Sequence, residues 1–122
     1  MNFTKKNINF AAVKKFNMDI IFKQDYLCDL YKTGKTNDKK HRFQPAIIRK
    51  YIQVIDLMIA QPNTLALKKF NSLYYKKLQG DKAGLSSVRV NDQYRIEFEE
   101  KTVGNQDIAT ICNITELSNH YK

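Results

Sequence analysis

Ser87-Val88-Arg89-Val90-Asn91-Asp92-Gln93-Tyr94-Arg95-Ile96-Glu97-Phe98 is the stretch whose reading decides the fold. Apolar and polar residues alternate with period two on both sides of Asn91-Asp92-Gln93, so each flank reads as a strand with one buried face. Residues directly opposite each other in an antiparallel pair project to the same side. A three-residue loop at 91–93 therefore pairs Val90 with Tyr94, Arg89 with Arg95, and Val88 with Ile96, collecting the apolar side chains on one face and both arginines on the other. A two-residue loop would set Arg89 opposite an apolar partner and bury an unpaired guanidinium, a large cost. The pattern predicts the longer loop or an equivalent bulge.

Two arginines opposite each other repel, so an anion is expected between them. Glu97 and Glu99 share their face and could serve as counter-ions. Alternatively the face binds phosphate, to whose oxygens arginine offers forked donors. The residues alone leave both readings open.

Outward from the hairpin, Leu73-Tyr74-Tyr75 and residues 85–90, 94–99 and 108–114 read as strands separated by turn residues. Upstream, Asp19-Ile20-Ile21-Phe22 reads as a short strand. Asp25 then serves as the N-cap of a helix carrying Tyr26, Leu27, Leu30 and Tyr31 on one face and stopping at Gly34. A second, longer helix starts with Pro45 in its first turn. It repeats Ile47, Ile48, Tyr51, Ile52, Ile55, Met58 and Ile59 at helical spacing until Gln61-Pro62-Asn63. Residues 64–71 have weak pattern and suit a turn or short helix. The expected class is α+β, an antiparallel twisted sheet with two N-terminal helices packed on one face.

A chain of 122 residues suits one domain, assigned to residues 18–122. Residues 1–17 carry Lys5, Lys6, Lys14 and Lys15 and no acid, precede Met18, and read as a basic, flexible extension. The polar segment 35–42, KTNDKKHR, is either a contact for RNA or a solvated connection. Twenty-one Lys and Arg against twelve Asp and Glu give a net charge of +9, which points to a polyanionic partner. Charge alone does not separate nucleic acid from a membrane surface. Cys28 and Cys112 form neither a disulfide framework nor a zinc motif, which suits a reducing compartment. No apolar run approaches the roughly 18 residues that span a bilayer. Phe10-Ala11-Ala12-Val13 is too short for a signal segment. The expectation is a cytoplasmic protein with no membrane, metal or cofactor requirement.

Leu78-Gln79-Gly80-Asp81-Lys82-Ala83-Gly84, followed by Ser86-Ser87-Val88-Arg89-Val90-Asn91 and Tyr94-Arg95-Ile96-Glu97-Phe98, resembles the pattern of HigB-type toxins of the RelE/ParE superfamily. In that family the order is LKGD, a glycine, a serine-containing strand, RVN, and an aromatic-Arg-apolar strand. The order of a strand, a Tyr- and Leu-rich helix ending in Thr33-Gly34, and a long second helix is similar too. The chain ends in Glu116-Leu117-Ser118-Asn119-His120-Tyr121-Lys122, similar to the family's C-terminal histidine strand. The resemblance covers residues 19–122.

The resemblance implies a toxin of a type II toxin-antitoxin system, an endoribonuclease that cuts messenger RNA on the ribosome without metal. The ribose 2′-hydroxyl attacks its adjacent phosphate, which requires a base, cations for the growing charge, and an acid for the leaving oxygen. By the same resemblance, Arg95 contacts the scissile phosphate, His120 does acid/base work, and Arg89 joins in phosphate binding. It also implies a helix-turn-helix antitoxin of the HigA kind as partner. Three positions depart from the family. Gln79 replaces the lysine before Gly-Asp, and Ser118 and Asn119 replace the acidic and tyrosine residues before the histidine. Charge could come instead from Lys77 or Lys82, and an aromatic ring from Tyr121, which would leave Gln79, Lys77, Lys82 and Tyr121 as RNA contacts. The rival readings are a ParE-like inhibitor of DNA gyrase that uses no catalytic residues, and a catalytically weakened RNA-binding relative.

Overall fold

The computed structural model describes residues 17–119. Residues 1–16 of the basic extension, and His120 and Tyr121, lie outside the described residues. The order along the chain is β1 (Asp19–Phe22), α1 (Asp25–Thr33), α2 (Pro45–Ile59), β2 (Lys76–Lys77), β3 (Ser86–Arg89), β4 (Tyr94–Lys101) and β5 (Ile111–Asn119). Short 3-10 turns at Thr64–Lys69, Asn71–Leu73 and Gly80–Lys82 fill the connections. The strands form one sheet in the order β1-β5-β4-β3-β2.

The hairpin between β3 and β4 has the register expected from the alternation, with Val88 opposite Ile96 and Arg89 opposite Arg95. Its loop is held from within. The Asn91 side chain accepts from the backbone N–H groups of Gln93 and Tyr94 at 2.9 and 2.7 Å. Val90 and Asn91 both donate to the Tyr94 carbonyl, at 2.9 and 3.2 Å, so the turn closes as a bulge. A second bulge separates Glu97, opposite Glu116, from Phe98, opposite Ile114. The extra residue, Thr115, donates through Oγ1 to the Glu97 carbonyl at 3.1 Å and accepts from Gln24 Nε2 at 2.9 Å. Because of this insertion, Ile114 and Leu117, three positions apart, are both buried in the core.

Four features differ from the sequence reading. The pair β1 and β5 is parallel, whereas the other pairings are antiparallel. Both helices lie in the crossover between β1 and the later strands, the kind of long connection a parallel pair requires. Leu73-Tyr74-Tyr75 is no strand: Leu73 ends a 3-10 turn and Tyr74 takes left-handed backbone angles, so only Lys76–Lys77 pairs with β3. The last strand starts at Ile111 and continues to Asn119, the ladder with β4 holding it in place. Gln24, not Asp25, holds the N-cap position of α1, without a side-chain capping bond, and Asp25 occupies the first turn, where a carboxylate suits the helix dipole.

The two helices cover one face of the sheet. Leu27, Leu30, Tyr51, Ile55 and Met58 meet Val88, Ile96, Phe98 and Ile114 in the core. Tyr51 satisfies its buried hydroxyl by donating to the Leu27 carbonyl at 2.8 Å, tying α2 to α1. Gly34 ends α1 at φ 75°, a left-handed conformation that suits glycine, and donates to the Leu30 carbonyl at 3.0 Å. Among the described residues no helix is long and apolar enough to cross a membrane.

Candidate functional site

The sheet face opposite the helices carries the arginines, because Val88 and Ile96 take the core side of the same two strands. Glu97, on this face, is 1% exposed and acts as the expected counter-ion. Its Oε2 accepts from Arg95 Nε at 2.9 Å, and both its oxygens accept from Lys82 Nζ, at 2.9 and 2.7 Å. Lys82 reaches it from the 3-10 turn Gly80–Lys82, which opens on Gly80 at φ 66°. Glu99, the other candidate counter-ion, instead accepts from Asn113 Nδ2 at 2.8 Å. Arg89 donates to Asp92 in the hairpin loop, and its guanidinium lies 5.1 Å from the centroid of the Tyr74 ring.

Arg89 and Arg95 line one pocket of about 220 Å³ together with Tyr74, Lys76, Ser87, Asn91, Asp92 and Tyr94. One buried carboxylate between Arg95 and Lys82 leaves that trio positive, and Lys76 adds to the cationic lining, while Asp92 offsets Arg89. A site of this kind favours an anion with several oxygens.

Lys76 and Lys77 separate across β2. Lys76 stands opposite Ser87 and lines the pocket with the arginines. Lys77 stands opposite Ser86, whose hydroxyl donates to Glu100 at 2.5 Å on the core side. Lys76 was missed because residues 73–75 read as the strand; counting from the true pairing would have found it. Burial pushes the Glu100 carboxyl up, but hydrogen bonds from Ser86, Tyr75 and Thr64 and the charge of Lys77 outweigh it and hold the group below its ordinary value. Gln79 is exposed and directly precedes the turn that carries Lys82. On β5, Ser118 is buried opposite Arg95, and Asn119 stands opposite Tyr94. His120 and Tyr121 follow directly in sequence.

The segment 35–42 is a fixed connection. The His41 ring stacks on Tyr26 with centroids 3.7 Å apart, and its Nδ1 lies 2.9 Å from Asp38 Oδ2. Tyr26 in turn accepts at its hydroxyl from the Leu117 N–H at 3.3 Å. Burial pushes the Tyr26 phenol up to about 12. Lys35, Lys39 and Arg42 line a second, wider depression beside this stack.

Comparisons with known proteins bear on the family of the chain. The fold is similar to a YoeB/ParE toxin from Agrobacterium tumefaciens, at a TM-score of 0.50 and 16% identity, covering 85% of this chain and 100% of that one. A YoeB-YefM complex from Staphylococcus aureus gives a TM-score of 0.46 at 17% identity, covering 85% of this chain and 98% of that one. At 16% identity the first of these likenesses speaks for the fold alone. No match was found among curated proteins. The model of the HigB-like toxin family, described as the RelE-like toxin of the type II toxin-antitoxin system HigB, matches residues 20–111. The chain belongs to that family, as a RelE-like toxin of a type II toxin-antitoxin system.

Proposed function

We propose that the protein is a ribosome-dependent endoribonuclease that cleaves messenger RNA by attack of a ribose 2′-hydroxyl on the adjacent phosphate. The observation that carries this reading is the direct pairing of Arg89 with Arg95 on the face opposite the core, both lining one cationic pocket. In the proposal, Arg95 donates to the scissile phosphate as its charge grows, and Arg89 holds a neighbouring phosphate oxygen. Glu97 fixes Arg95 through Nε, aligning the plane of the guanidinium. As the bond from the 2′-oxygen to phosphorus forms, the 2′-hydroxyl proton passes to water, and His120, two residues past Ser118, supplies the proton for the 5′-oxygen as its bond to phosphorus breaks. Lys76 takes the backbone-binding role first sought in Lys77, and Lys82 acts with Glu97 on Arg95 rather than reaching RNA alone. Gln79 and Tyr121 act as further RNA contacts in this proposal.

The partner that silences a toxin of this class is an antitoxin, and we propose one of helix-turn-helix type. The protein works in the cytoplasm, where its ribosome and message are found. Residues 18–122 form the working domain in this proposal, with residues 1–17 an appendage.

Induced expression tests the nuclease reading. Growth arrest with new transcript ends is expected for the unaltered chain, and loss of one phosphate donor in Arg95→Ala should slow cleavage by about 10²- to 10³-fold. His120→Ala should be similarly impaired. Toxicity surviving both substitutions would contradict the assignment. Intact transcripts with stalled DNA replication would favour gyrase as the target.

A further inference from the structure

Tyr74 occupies a position that neither local conformation nor burial explains. Among the described residues it is the one non-glycine residue at positive φ, 46°, a region that bulky side chains seldom enter. It is also 62% exposed, so its ring gains little from removal from water. The chain is anchored on either side of it: Leu73 is 3% exposed in the core, and the Tyr75 hydroxyl donates to Glu100. The left-handed kink between these anchors turns the Tyr74 ring out to the rim of the pocket that Lys76, Arg89 and Arg95 line. The Arg89 guanidinium packs 5.1 Å from the ring centroid, so the aromatic surface and the phosphate-binding group form one unit.

We propose that Tyr74 is a stacking platform for a nucleobase of the bound strand, adjacent to the cations that hold its backbone. The inference rests on the RNA-cleaving reading of the pocket and adds the element that grips a base. An exposed aromatic face beside a row of cations matches the repeating chemistry of single-stranded nucleic acid, a flat base and a phosphate per unit. Strain at this residue is then the cost of presenting the ring outward.

The test uses the full chain and a short 2′-O-methyl RNA, which cannot be cleaved, carrying 2-aminopurine, whose fluorescence falls on stacking. A matching abasic strand serves as control. Wild type and Tyr74→Phe should bind and quench. Tyr74→Leu and Tyr74→Asn should lose the quenching and about 5- to 150-fold in affinity, as expected for one lost base stack. Asparagine enters the left-handed region readily, so Tyr74→Asn should keep the melting temperature and separates loss of the ring from loss of the fold. All variants should bind the abasic strand alike. Equal quenching in every variant, with wild-type binding intact, would overturn the platform and leave the pocket reading standing. The same loss of affinity for the abasic strand would show that Tyr74 acts only by holding Arg89, and would also overturn it. Failure of wild type to bind either strand would overturn the platform, whereas the ribosome-dependent reading stands or falls on transcript ends.

Discussion

Glu97 is a carboxylate with almost no exposure on the sheet face that carries Arg89 and Arg95, and its two partners are not equivalent. Arg95 is 18% exposed and Lys82 40%, so Lys82 turns to water more readily than Arg95 when the carboxylate is removed. Glu97→Ala should therefore destabilise the fold toward the low end of the roughly 3–5 kcal/mol seen when a buried pair is broken. Lys82→Ala should cost about 1 kcal/mol or less, as for a partly exposed pair. Urea unfolding of the two variants measures the difference, and a larger loss for Lys82→Ala would contradict the ranking. The sequence made Glu97 visible as a counter-ion because it shares strand parity with Arg95. Lys82 was visible as a charge but not as the partner of Glu97, since the turn at Gly80–Lys82 that delivers it has no periodic signature.

Elements whose period repeats were legible in the sequence, and elements set by distant pairing were not. The β3–β4 hairpin and α2 follow from alternation and helical spacing, whereas the parallel β1–β5 pair joins segments some ninety positions apart, beyond the reach of local pattern. Tyr74 was misread because an aromatic triplet looks like a strand until the hydrogen bond from the Tyr74 N–H to the Asn71 carbonyl at 3.2 Å bends it into a turn. Register is the property the hairpin loop controls. Deleting Tyr94, the first residue of β4, keeps the three-residue loop but shifts β4 by one residue against β3, which would drive Arg95 toward the core side and Ile96 into water. No folded protein is expected, as judged by loss of near-ultraviolet circular dichroism; a native spectrum would contradict the register argument.

The joint between β2, β3 and β4 should also make stability depend on pH. Burial raises the Glu100 carboxyl, but the hydrogen bonds and Lys77 lower it more, so its folded value lies below its unfolded one. Between the two values the unfolded chain binds more protons, so the contribution of Glu100 is complete above the unfolded value and lost as pH falls through the folded one. Glu100→Gln should flatten the acid side of a stability profile between about pH 5 and the onset of acid unfolding. An unchanged acid limb would contradict the account of this cluster.

The whole molecule sets a cationic face against a helix-covered core, and its net charge of +9 suits a polyanion. Composition could reach that conclusion and no further. Which cations converge depended on the sheet, which gathers Lys76, Arg89 and Arg95 from three strands around one pocket. The central claim is that this face promotes attack by a ribose hydroxyl on its neighbouring phosphate. The most direct measurement programs purified ribosomes with a message bearing a single 2′-deoxy nucleotide at the cleavage position found for the all-ribose message. The account predicts that cutting of the all-ribose message leaves a 2′,3′-cyclic phosphate and that the single deoxy substitution abolishes cutting there. Undiminished cleavage at the deoxy position would contradict it.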